Sequence, residues 1–141
     1  TLRPGGAFLV IVNRPLRDPC LRILWREVGR VTAETGMEPL RLGDRRTFSA
    51  EGLRELFSEA PFDAGSLSIA EIEVRARRSG PDMWSILGRS YDVFRLPAGA
   101  RATLRERVLG EWKALEDGRG EVPCAMGLRL VRCRTAAPQA P

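Results

Sequence analysis

The chain has 141 residues, of which 43% are hydrophobic and 29% are charged, so it is long enough for one domain with a substantial core. It carries a net charge of +5 and no histidine, which excludes the usual neutral-pH general base, Ser-His and Cys-His nucleophile pairs and every histidine-containing metal site. No apolar run approaches the roughly 18–20 residues of a membrane-spanning helix, so we expect no span.

The basic residues are almost all arginine. Lys113 is the single lysine, and the arginines are scattered among Ala, Gly and Pro. The densest group, Arg75 to Arg78, lacks the interleaved aromatic residues of a single-strand binding surface. We therefore do not expect nucleic acid as a partner, and an Arg-rich RNA-binding module is only the third hypothesis for function.

The cysteines give no sign of a metal centre. Cys20, Cys124 and Cys133 are odd in number and have no CxxC spacing. This pattern argues against a structural metal and against a complete disulfide framework, and it indicates the reducing environment of the cytoplasm. We interpret each cysteine as a small buried apolar side chain.

The first predicted element is an apolar strand. Pro4-Gly5-Gly6 forms a turn, and Ala7 to Val12 is apolar at every position, which predicts a strand buried on both faces. Asn13-Arg14-Pro15 ends the strand. Such a strand normally lies inside a sheet, because at an edge it would expose unpaired backbone groups. We therefore expect further strands on the amino-terminal side of this one.

Two helices are predicted next. The first begins at Pro19 and ends at Gly36, and a loop or lid follows over residues 37–48. Ser49 is a plausible N-cap of the second helix, which Pro61 closes. Their apolar stripes consist of Leu21, Leu24, Trp25, Val28 and Val31 in the first helix and Leu53, Leu56 and Phe57 in the second.

The remaining residues predict a strand, two helices and a last strand. Leu67 to Ala76 is the strand, Asp82 to Arg89 a short helix, and Pro97 opens a longer helix. Cys124 to Cys133 is the last strand, in which Arg129 points away from the apolar side. The order predicts an α/β fold with about three strands and four helices.

Several segments resemble class I S-adenosylmethionine-dependent methyltransferases. Leu2-Arg3-Pro4-Gly5-Gly6 and the strand after it resemble the "L-[RK]-P-G-G" turn and fifth strand of that class. Leu21 to Val28 resembles the helix that many small-molecule members insert there, and Phe48 to Phe57 resembles the helix before the sixth strand. The segment from Leu96 through the last strand is similar to the carboxyl end of ubiquinone/menaquinone-biosynthesis-like members.

The resemblance implies a fold and a division of the chain. One departure is Glu59-Ala60-Pro61-Phe62, where the family usually has Glu-Ala-Gly-Phe. The implied fold is the carboxyl-terminal part of a Rossmann-like methyltransferase sheet with an antiparallel last strand. Residues 1–135 would form this half-domain, with the fifth strand and exit loop at 1–18, the inserted helix and lid loop at 19–48, the helix and sixth strand at 49–78, helices and the last strand at 79–135, and a disordered tail at 136–141.

The resemblance also implies a cofactor and a substrate class. In this family S-adenosylmethionine binds to the first half of the sheet, at a glycine-rich turn after strand one and an acidic residue ending strand two. The chain has no such turn, so we assign it no cofactor-binding residue. It would supply the side that binds a small-molecule methyl acceptor and be inactive without an amino-terminal half or a partner subunit. The alternative is a non-catalytic, methyltransferase-like interaction domain.

Five residues are candidates for binding the acceptor. Ligands of open α/β sheets lie beyond the carboxyl ends of the parallel strands, where Asn13 and Arg14 are expected. Trp25 lies on the helix that covers the acceptor site in the resembling family, and Trp84 and Tyr91 lie in a segment that also contributes to it. The alternatives are a turn cap for Asn13, a solvated Arg14 and core positions for the tryptophans. No catalytic residue and no metal ligand is assigned.

Two other features have structural interpretations. Asp44-Arg45-Arg46 either steers an anionic acceptor or is a solvated loop. Trp112 lies on a regular helical stripe, so we place it in the core and assign it no function.

Overall fold

A computed structural model describes residues 3, 5–14, 17–38, 44–59 and 62–135. Its elements in chain order are β1 (Ala7–Arg14), α1 (Pro19–Glu34), a 3-10 helix (Arg45–Phe48), α2 (Ala50–Ser58), β2 (Phe62–Arg78), α3 (Gly80–Leu87), α4 (Tyr91–Phe94), α5 (Ala98–Trp112), a second 3-10 helix (Lys113–Leu115) and β3 (Val122–Thr135).

This order confirms the α/β class, but the predicted number of four helices is wrong. The fifth α-helix is α4, which has only 4 residues and is therefore too short to show a helical period. The predicted tail at 136–141 and residues 39–43 of the predicted loop or lid lie outside the described residues. In the part of the chain that the structure describes, no helix is long and apolar enough to cross a membrane.

The described residues form two compact units. The first unit contains β1, α2 and the first 3-10 helix, together with residues 62–74 of β2 and 126–135 of β3. The second unit contains α1, α3, α4, α5 and the second 3-10 helix, with residues 75–78 and 122–125.

The strands form a three-stranded sheet with the order β1-β3-β2. β1 is antiparallel to β3, with Ala7 opposite Arg134 and Arg14 opposite Gly127. Ser66 Oγ accepts a hydrogen bond from the Arg134 backbone N–H, and Glu71 accepts one from the Arg129 guanidinium. Because the residue numbers rise along β2 while those of their partners fall along β3, these two strands are also antiparallel. The last strand is therefore antiparallel, as expected, and β1 and β2 are parallel to each other.

One face of the sheet packs against α2. Leu53 and Phe57 of α2 are buried against Val131 and Cys133 of β3. Phe8 of β1 and Phe62 of β2 join this cluster, and the three phenylalanine rings lie with their centroids 5.2–6.0 Å apart. Such tilted rings add to the stabilisation that comes from apolar burial. α2 itself begins at the predicted cap, because Ser49 Oγ accepts the Gly52 N–H at 2.9 Å.

The prediction that β1 is buried on both faces is wrong for the described chain. Burial alternates along the strand, and the side chains of Leu9 and Ile11 are 60% and 61% exposed. They project from the face opposite α2, because successive side chains of a strand point to opposite faces. Among the described residues β1 pairs only with β3, so its other edge is open as well. On β2, Ile72 and Val74 are also exposed, at 41% and 47%.

The second unit has a helical core. α1 packs against α5, and α3 also packs against α5. Leu24 of α1 and Leu104 and Val108 of α5 are fully buried. Trp112 is fully buried too, and its indole N–H donates to the Cys20 carbonyl at 3.1 Å, which confirms its predicted place in the core.

Gly52 provides a test of the packing between α2 and the first 3-10 helix. A Cβ atom at this position would lie 2.4 Å from the Arg46 carbonyl oxygen and 2.7 Å from its Cα. Since both neighbours are backbone atoms, G52A should lower the free energy of unfolding by about 1–3 kcal/mol in urea titrations. G29A is the matched control, because a Cβ there meets nothing within 4 Å. G29A should be neutral or stabilise by up to about 1 kcal/mol, and equal effects of both changes would contradict this packing.

Candidate functional site

The end of β1 carries an arginine that is held by carboxylates. One guanidinium nitrogen of Arg14 lies 2.9 Å from a Glu71 carboxylate oxygen, and the other lies 4.0 Å from Glu73. The second Glu71 oxygen accepts from Arg129 Nε at 3.0 Å. Arg129 also donates to the Phe48 carbonyl at 2.7 Å. Glu71 is thus shared between arginines from two different strands.

The alternation of the strands places this cluster on the face that α2 covers. Arg14 follows Phe8, Val10 and Val12 on the same side of β1, and Arg129 has the same parity as Val131. Within this face the charged side chains succeed the apolar ones toward the carboxyl end of β1. The sequence analysis predicts acceptor binding at this end of β1, on the rule for parallel strands of open α/β sheets.

Ion pairs hold Arg14, Glu71 and Arg129 in place, but one hydrogen-bond donor of this cluster has no partner among the described residues. Arg14 Nε is buried and has no hydrogen-bond partner among the described residues. A buried donor without a partner is unfavourable, so this N–H is the unsatisfied group of the cluster. The rest of the guanidinium faces carboxylates, which makes Arg14 a positioned donor rather than the solvated side chain of the alternative interpretation. Asn13 is exposed on the opposite face of β1.

The three aromatic candidates belong to the second unit, whereas Asn13 and Arg14 belong to the first. Trp25 is 44% exposed on α1, so it is not the core residue of the alternative interpretation. Trp84 is half-buried on α3, and a Cβ added to Gly88 would lie 2.8 Å from its ring. Tyr91 is 62% exposed at the start of α4.

Ser90, next to Tyr91, adds a polar group to this segment. Ser90 is the N-cap of α4, yet its hydroxyl makes no capping hydrogen bond. The Ser90 Oγ atom is buried and has no hydrogen-bond partner among the described residues. An unpartnered hydroxyl beside an exposed tyrosine is compatible with the contribution to an acceptor site that was predicted for this segment.

Ion pairs with Asp44 and Glu59 neutralise the charge of Arg46 in the Asp44-Arg45-Arg46 cluster. Asp44 caps the 3-10 helix and accepts from the Arg46 guanidinium at 2.7 Å, and the Arg46 guanidinium also donates to Glu59 at 2.7 Å. The Arg46 guanidinium lowers the pKa of Asp44, and the two carboxylates raise the pKa of Arg46. This favours a solvated segment over steering of an anionic acceptor, and of these three residues only Arg45 is exposed.

Sequence reasoning missed a buried carboxylate in the second unit. Glu27 of α1 is fully buried and accepts from Arg26 at 2.9 Å and from Arg30 at 3.2 Å. Arg26 also contacts Glu111 of α5, and this contact raises the pKa of Arg26. Glu27 directly precedes Val28, a residue of the apolar stripe of α1. This position beside the stripe was the only signal in the sequence that the carboxylate is buried. Its partners on the same helix indicate a structural role.

Comparison with models of known protein families gave no match, and no curated protein matches the chain by sequence.

Proposed function

We propose that the chain is the acceptor-side part of an S-adenosylmethionine-dependent methyltransferase that acts on a small molecule. The observation that carries the proposal is the uncovered part of the sheet. The strand that resembles a fifth strand exposes Leu9 and Ile11 on one face, and one of its edges is open among the described residues. Both features are unfavourable in water and are removed when further strands and helices cover them.

The arrangement of the strands supports the same proposal. β1 and β2 are parallel, and the last strand lies between them and runs antiparallel to both. The resemblance implies an antiparallel last strand, and helices α1 and α2 connect β1 to β2. The cofactor site would then lie on strands beyond the open edge of β1, carried by an amino-terminal half or by a partner subunit.

Within the first unit, Arg14 would bind and orient the acceptor by donating through its unpartnered Nε. Asn13 projects from the opposite face of β1 and stays a candidate from the sequence alone. Trp25, Trp84 and Tyr91 of the second unit stay candidates for apolar contacts with the acceptor. Bound S-adenosylmethionine supplies an activated methyl group, and transfer asks the protein chiefly for in-line approach and a dry pocket. The absence of histidine is therefore compatible with this chemistry.

A non-catalytic interaction domain is the second candidate, because an open edge and an apolar face are equally suited to binding another protein. RNA binding has less support. Many of the arginines already have carboxylate partners, namely Arg14, Arg26, Arg30, Arg46, Arg77, Arg107 and Arg129.

Calorimetric titration with S-adenosylhomocysteine tests the proposal. The 141-residue chain should give no binding heat, and a longer protein that carries the proposed amino-terminal half should bind one equivalent. ATP, which shares the adenosine but lacks the amino-acid end, is the control ligand and should not bind. Tight binding by the chain alone would place the cofactor site within it and contradict the proposal. Absence of binding by either protein would favour the interaction domain.

A further inference from the structure

The beginnings of α1 and β3 bring two thiols and a carboxylate together. A carboxylate oxygen of Asp18 and the Sγ atoms of Cys20 and Cys124 all lie within 4.8 Å of one another. Both cysteines are buried, with 0% and 7% of their surface exposed. All three residues belong to the second unit. We call them the Asp18/Cys20/Cys124 cluster.

The backbone holds this cluster in place. Asp18 is the N-cap of α1, and its Oδ1 accepts from the Leu21 N–H at 3.0 Å. Its Oδ2 accepts from the Ala125 N–H at 2.9 Å, directly beside Cys124. The Cys20 carbonyl in turn accepts from the buried indole of Trp112. The Asp18 carboxylate and the backbone next to both thiols are therefore held by hydrogen bonds that do not depend on a ligand, as a preorganised binding site requires.

We propose that the Asp18/Cys20/Cys124 cluster is a binding site for a thiophilic divalent cation of the zinc class. Two thiolates and a carboxylate form a donor set that suits Zn²⁺. With bond lengths of about 2.3 Å to sulfur and about 2.0–2.2 Å to oxygen, tetrahedral ligand atoms are separated by roughly 3.5–3.8 Å. The three ligand atoms lie within 4.8 Å of one another, so an inward shift of at most about 1 Å brings them to this separation.

Water would occupy the fourth position, as it does in zinc sites with three protein ligands. On binding, each of the two thiols gives its proton to the buffer and forms a metal–sulfur bond, and the cation offsets two of the three negative charges of the thiolates and the carboxylate. The ion would then connect the first turn of α1 to the start of β3. Its effect would be structural, because it would link these two segments within the second unit.

The third ligand favours a cation over a Cys20–Cys124 disulfide. Disulfide formation proceeds through attack by a thiolate, and the Asp18 carboxylate in the cluster repels that negative charge. A divalent cation is attracted by the same carboxylate. Removal of the Asp18 charge should therefore favour formation of the Cys20–Cys124 disulfide and weaken binding of the cation.

Titration of the reduced full chain with Cd²⁺, used as a spectroscopic probe for Zn²⁺, tests the site. The ultraviolet absorption of cadmium–thiolate bonds should saturate at one Cd²⁺ per chain, with release of two protons, and Zn²⁺ should reverse it. C124S should weaken Cd²⁺ binding by at least about 100-fold. C133S is the matched control, since Cys133 is also buried but belongs to the first unit, and its Cd²⁺ affinity should equal that of the unmodified chain.

D18N keeps the proposal testable if a cysteine variant does not fold, because asparagine is itself a good N-cap. Circular dichroism should show retained helix, and Cd²⁺ affinity should fall by at least about ten-fold. The proposal is overturned if the reduced chain gives no cadmium–thiolate absorption, or if C133S and C124S weaken it equally. Unchanged Cd²⁺ affinity in folded D18N would also overturn the three-ligand site.

Discussion

W112A is expected to lower the free energy of unfolding of the chain by about 3–5 kcal/mol. Trp112 is fully buried at the end of α5, where α5 packs against α1. Its truncation removes a large apolar contact, leaves a cavity and leaves the Cys20 carbonyl without its indole donor. Urea unfolding followed by far-ultraviolet circular dichroism measures the change.

Two further variants separate the contributions to this effect. W112F keeps most of the ring volume and loses the indole N–H, so it should destabilise by about 1 kcal/mol beyond any repacking. Y91A removes an aromatic ring that is 62% exposed and should change the stability by less than about 0.5 kcal/mol. If W112A were no more harmful than Y91A, the helical core of the second unit would be wrongly described.

E71Q should destabilise the chain by about 1–2 kcal/mol, because it removes the charge that two arginines share. Arg129 is the more affected partner, since its side chain is only 10% exposed and its Nε donates to Glu71 at 3.0 Å. The half-exposed Glu71 side chain moderates the effect through solvent screening. Thermal and urea unfolding of E71Q and the unmodified chain measure the difference.

E55Q is the control for E71Q. Glu55 of α2 is 64% exposed, and its ion pair with Arg46 has a longer separation of 3.5 Å. Its replacement should change the stability by less than about 0.5 kcal/mol. Equal destabilisation by both substitutions would contradict a specific role for Glu71 between β1 and β3.

The sequence predicts the elements that have a clear period or a clear cap. α1, α2 and α5 have apolar stripes, and Ser49 caps α2 as expected. The burial of β1 was not predictable, because an all-apolar strand has the same sequence whether or not its second face is covered. A strand's neighbours are a property of the assembled sheet.

The charged and thiol clusters depend on contacts between distant parts of the chain. Alternation along the last strand placed Arg129 on the polar side, but the structure buries it beside Glu71. Cys20 and Cys124 lacked any metal-binding spacing and are brought together only by packing of α1 beside the start of β3. Of the candidate acceptor residues, the sequence correctly places Arg14 at a strand end, but its carboxylate partners on β2 were not foreseen.

Hydrogen–deuterium exchange of the β1 amides tests the central claim, that β1 is an internal strand of a larger sheet that also carries the cofactor. In the 141-residue chain, the β1 amides that face away from β3 should exchange fast. In a longer protein that carries the proposed amino-terminal half, they should be protected, and more so with S-adenosylhomocysteine bound. Equally fast exchange of these amides in both proteins, with and without S-adenosylhomocysteine, would contradict the claim.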